Sequence, residues 1–130
     1  MIGMWSEFSQ TYLFYVFIFT SLAFSIPIFF IPLTWAKLMQ WKIPDDTDLT
    51  VYFARCLGSF ALVFAYFIYI AATTGEGEVL MFQILTAFSV FMVGLHVYGA
   101  LKRIQPITET LEIGLWSLLI ILNLLFYPAV

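Results

Sequence analysis

Residues 51–74 read VYFARCLGSFALVFAYFIYIAATT, and the fold turns on this stretch. From Cys56 to Thr74 it contains no Asp, Glu, Lys or Arg. A helix that crosses the hydrocarbon core of a bilayer needs about 20 mainly apolar residues. Three further runs, Tyr12–Ile31, Val79–Leu101 and Ile113–Val130, are equally free of those four residue types. Backbone N–H and C=O groups in lipid must be satisfied within the segment, which makes such runs helices. Barrel strands would be shorter and would alternate polar with apolar residues. Of the 130 residues, 63% are hydrophobic and 10% charged, where a soluble domain carries about 25% charged residues. Mean hydropathy is +1.01. The sequence thus predicts an all-α membrane protein: a four-transmembrane-helix antiparallel bundle in a single domain, 1–130, with spans at 10–31, 49–74, 79–101 and 108–128.

The connections are short and their residue types assign them roles. Pro27 is expected to kink the first span by removing a helical hydrogen bond. Pro32 to Lys42 reads as a short interfacial helix, with Trp35, Lys37, Trp41 and Lys42 as anchors at the headgroup level. Pro44 breaks the chain, and Asp46, Thr47 or Asp48 can cap the second span. Capping and the helix dipole explain the acidic run Asp45, Asp46, Asp48 without a metal. All five basic residues lie in or near the first and third connections: Lys37, Lys42 and Arg55, then Lys102 and Arg103. The positive-inside rule therefore predicts cytoplasmic first and third connections and outward N- and C-termini. There is no basic patch for a nucleic acid, and the single Cys56 excludes an internal disulfide.

Arg55 is the one basic residue set within an apolar run. Counting about 1.5 Å per residue puts it roughly 10 Å beyond Asp48 and level with His96 and Glu112 on other spans. Ionisable groups within a membrane usually face the bundle interior and pair with one another. The expected polar cluster is therefore Arg55, His96, Glu112 and Glu109, with Arg55 and Glu112 as the ion pair and Glu109 nearer the surface. Such a cluster can clamp helix register or sit in a cavity that binds a ligand or moves protons. Tyr52, Ser59, Tyr66, Tyr69, Trp116 and Asn123 are the candidate lining of such a cavity. Ala54, Gly58, Ala61 and Ala65 form a stripe of small residues suited to close helix contact. No nucleophile–base pair, phosphate loop or spaced set of metal ligands is visible, so no metal and no catalytic residue is expected.

Arg55-Cys56-Leu57-Gly58 at the start of the second span, His96 late in the third, and four short spans with outward ends together resemble the small DoxX-like membrane proteins. A more distant similarity is to EXPERA-type sterol-handling bundles. Where the family pattern places a glutamate three residues after the glycine, this chain has Ala61, and Glu112 is the acid that could replace it. The resemblance implies an accessory subunit of a quinone-linked redox complex, or an assembly factor, in a bacterial inner membrane. The expected partners are membrane lipids and other membrane subunits or further copies of the chain. The alternatives are a binder or carrier of a quinone, sterol or lipid, motivated by 20% aromatic residues, and a proton-coupled transporter. No cofactor is required, although a bound quinone or lipid fits the second reading.

Overall fold

The computed structural model describes residues 2–128; Met1 and the last two positions of the expected fourth run, 129–130, lie outside the described residues. Among the described residues there are helices and no strands. Four helices are long and apolar enough to cross a membrane: Ser6–Phe30, Asp48–Thr74, Glu78–Lys102 and Ile107–Leu125. The chain thus has the helices of an integral membrane protein, within a few residues of the expected spans.

The first span is composite. A 3-10 turn, Ser6–Phe8, leads into α1, Ser9–Thr20; a π-turn, Ser21–Ser25, follows, and α2, Ile26–Phe30, completes it. The irregularity has a local cause. Pro27 has no N–H to give the Ala23 carbonyl four residues back, and the helix widens just ahead of the proline. The Ser25 hydroxyl donates to the Thr20 carbonyl across the widened turn, at 3.3 Å. The Ala23 carbonyl receives instead the indole N–H of Trp35, at 2.8 Å. Trp35 belongs to α3, Pro32–Leu38, which turns back at Ile31 (φ −133°, ψ 53°). This is the expected short helix after the first span, but Trp35 is tied to the bundle and packs on Phe24.

The remaining helices are α4, Asp48–Thr74; α5, Glu78–Lys102; and α6, Ile107–Leu125. They group in pairs: α4 packs chiefly on the first span, and α5 chiefly on α6. The two pairs join through a core of Tyr12, Leu13, Val16, Ile68, Ala71, Ala72, Met81, Phe82 and Leu85. Tyr12 stacks on Phe126 with centroids 4.7 Å apart, and its hydroxyl donates to Asn123 Oδ1 at 2.6 Å. At the same end, the N–H groups of Gly3 and Trp5 donate to the Leu124 and Leu125 carbonyls, each at 2.9 Å. They satisfy acceptors that the last turn of a helix leaves free. Both described chain ends therefore lie at one end of the bundle, opposite the end that carries Lys37, Lys42, Lys102 and Arg103.

Gly58 sets the contact between α4 and the first span. A Cβ there would lie 2.7 Å from the Phe29 Cα, so the two backbones are closer than any side chain allows. Gly58 and Ala65 are buried and Ala54 and Ala61 half-buried. At Gly58 the small-residue stripe thus makes a close helix contact inside this chain.

Candidate functional site

At the basic end, α5 and α6 close around three buried ionisable residues, His96, Glu109 and Glu112. Their ligand-type atoms lie within 4.8 Å of one another. His96 Nε2 is 3.0 Å from Glu109 Oε2 and 3.4 Å from Glu112 Oε2. Two carboxylates three residues apart on α6 necessarily share a face. His96 meets them from the last third of α5.

Each of the three has a further hydrogen-bond partner. His96 Nδ1 is 2.6 Å from the Met92 carbonyl, one turn earlier on α5. A carbonyl only accepts, so Nδ1 carries the hydrogen and donates it. Trp41 Nε1 donates to Glu109 Oε1 at 2.7 Å, and Trp116 Nε1 donates to Glu112 Oε2 at 3.0 Å. Trp116 is fixed between Phe24 and Phe88, with centroids 5.9 and 5.5 Å away.

Two helix stops bring these donors into place. After α3, Gln40 adopts a left-handed conformation (φ 62°). The Trp41 N–H bonds the Ala36 carbonyl and the Gln40 N–H that of Lys37, the pairing of a Schellman stop. The turn delivers Trp41 to Glu109, and the Thr108 hydroxyl bonds the Met39 carbonyl beside it. After α5, Arg103 is left-handed (φ 54°), with Ile104 N–H on the Gly99 carbonyl and Arg103 N–H on that of Ala100. The reversed chain lays Gln105 over Gly99, occupying the space that a Cβ would need. Gln105 Nε2 then donates to the His96 carbonyl at 2.9 Å and to Thr110 Oγ1 at 3.1 Å.

Arg55 is not part of this site. It is exposed on α4, and among the described residues the ion pairs of Glu112 and Glu109 are with His96 alone. The expected Arg55–Glu112 pair is therefore corrected. Depth along the helix axes agreed, but α4 packs chiefly on the first span and not on α6, and Arg55 is exposed. Glu109, expected nearer the surface, is as central to the cluster as Glu112. Trp41, expected as a headgroup anchor, spends its N–H on Glu109 while its ring stays part-exposed; Lys37 and Lys42 are exposed.

The expected cavity lining does not converge either. Tyr52, Ser59 and Tyr66 are exposed on α4 and Tyr69 packs on Phe17 of the first span, whereas Trp116 and Asn123 are buried at different levels of α6. Two concavities are shallow and open to the surface. One runs along Asp48, Val51, Tyr52, Arg55, Cys56 and Ser59, and the other is lined by Gln10, Thr11, Phe14, Tyr15 and Ala72. Comparison with protein-family models, curated proteins and solved structures finds no match for this chain.

Proposed function

We propose that the protein is a non-enzymatic subunit or assembly factor of a larger membrane complex, docking through the basic-end half of α4. The observation that carries this reading is Arg55. It sits about 10 Å inside a membrane-length helix, is exposed, and has no ion-pair partner among the described residues. A guanidinium at such a level needs a counter-charge or a route to water. Tyr52 and Ser59 flank it in the same groove, and Cys56 is also exposed there.

The occupant that fits is a transmembrane helix of another protein with an Asp or Glu at the depth of Arg55. A second copy fits poorly. A two-fold axis along the membrane normal sets each residue against its own counterpart level, which would bring Arg55 against Arg55. The resemblance to DoxX-like proteins points the same way, towards quinone-linked or other membrane assemblies of a bacterial inner membrane, with the basic end cytoplasmic and both termini outward. The lipophile-carrier reading draws no support from an enclosed chamber, since the grooves are open.

The test is photocrosslinking in native membranes from probes placed at Tyr52, Ser59 and, as a control on α6, Leu118. The expected result is one heavier protein adduct from the first two positions only, identified by mass spectrometry. Arg55→Glu should abolish it, and an acid-to-Lys change in the identified partner should restore it. Adducts with lipid alone, or a Cys56–Cys56 crosslink at twice the chain mass, would overturn the assignment.

A further inference from the structure

The hydrogen at His96 Nδ1 has a consequence at the other ring nitrogen. With Nδ1 donating to the Met92 carbonyl, a neutral imidazole presents a lone pair at Nε2. That lone pair faces two carboxylate oxygens at 3.0 and 3.4 Å. Three lone-pair atoms converge in a buried site only with a proton or a metal ion among them. A proton on Nε2 balances one carboxylate and leaves the second supported by indole N–H donors alone. No Lys or Arg pairs with either glutamate among the described residues. A divalent ion balances both carboxylates and needs the imidazole neutral.

We propose that His96, Glu109 and Glu112 bind one divalent first-row transition-metal ion, through His96 Nε2 and one oxygen of each carboxylate. Metal–ligand bonds of about 2.1 Å separate neighbouring ligands by about 3.0 to 3.4 Å in octahedral or tetrahedral arrangements. The two observed separations from Nε2, 3.0 and 3.4 Å, have that size. Each ligand also has the outer partner that metal sites require: a backbone carbonyl for the imidazole and an indole N–H for each carboxylate. One imidazole with two carboxylates favours Zn²⁺, Mn²⁺ or Fe²⁺ over Ca²⁺ and Mg²⁺, which prefer all-oxygen sites, and over Cu⁺, which prefers sulfur. The ion would join α5, α6 and, through Trp41, the turn after α3. This site lies on the other helix pair from the Arg55 face, so it stands or falls independently of the docking proposal.

The experiment uses the full chain in mild detergent, purified without an oligohistidine tag, stripped by a chelator and titrated with Co²⁺. Visible d–d absorption should grow to saturation at one equivalent per chain, without thiolate charge-transfer bands, and be displaced by Zn²⁺. Glu112→Gln and His96→Gln should each weaken uptake at least about tenfold. Trp41→Phe removes no ligand, and loss of its outer-shell hydrogen bond should weaken uptake about tenfold. Asp46→Asn, in the exposed acidic run, should leave the titration unchanged. Absence of saturable Co²⁺ absorption in the wild-type chain overturns the proposal and identifies the cluster as proton-bound only; that measurement holds even if the ligand variants fail to fold. Unchanged affinity in a folded Glu112→Gln chain overturns it equally.

Discussion

Where α4 crosses the first span, the fastening element is a missing side chain: Gly58 lets the backbone of Phe29 come within contact distance. Where α5 meets α6, it is a set of buried ionisable groups, His96 with Glu109 and Glu112. Both are ways of joining helices when lipid supplies no hydrophobic drive, one by close dispersion contact and the other by polar groups with nowhere else to go. They differ in how they fail. A close backbone contact fails in proportion to the volume added. A buried charge cluster fails all at once when one member is removed, because the others are then uncompensated.

The sharpest break of this comparison is in the cluster. Glu112→Leu or His96→Leu should each cost about 3–5 kcal/mol, whereas replacing all three members by apolar residues should recover much of the loss. Thermal unfolding in detergent measures both, and a triple variant less stable than the worst single one would contradict this account. In the other pair, Gly58→Ala should cost about 1–3 kcal/mol, as overpacking does. Gly94→Ala, with open space around the position, should instead gain about 0.5–1 kcal/mol from helix propensity. At the seam between the pairs, Tyr12→Phe removes the hydrogen bond to Asn123 and should cost about 0.6–1.7 kcal/mol, the range found for interhelical bonds in membranes. The smallest effect belongs to Arg55→Leu, expected within about 0.5 kcal/mol of the parent, as for a surface position. Combined with Glu112→Leu it should be additive, which a double-mutant cycle reads directly.

That last prediction reverses what the sequence suggests, and the reason is physical. The spans were legible because each is a long run without charge, and lipid leaves such a run few conformations. The shared level of His96 and Glu112 was legible too, since helical rise converts residue number into depth. Depth does not say which helices are neighbours. That is settled by contacts between residues in different spans, such as Gly58 on Phe29, which put α4 chiefly against the first span. Arg55 was therefore set level with Glu112 but on a helix that packs chiefly on the first span and not on α6. The aromatic lining failed likewise, with Tyr52 and Tyr66 exposed and Tyr69 packed on Phe17 of the first span. Trp41 and Trp35 show a different blind spot. Their spacing reads as membrane anchoring, yet each N–H serves a polar atom far along the chain. For Trp35 a signal existed: Pro27 leaves the Ala23 carbonyl short of a helical donor, so a donor had to come from somewhere.

The Trp35–Ala23 bond also bears on how the chain is made. The donor follows its acceptor by twelve residues, on the far side of the reversal at Ile31. During synthesis the indole that answers the first span's exposed carbonyl leaves the ribosome only after the whole of that span. Its polar accounting closes only when α3 has emerged and folded back. A chain truncated between Ile31 and Trp35 would carry every apolar residue of that span, yet enter lipid with one acceptor still open.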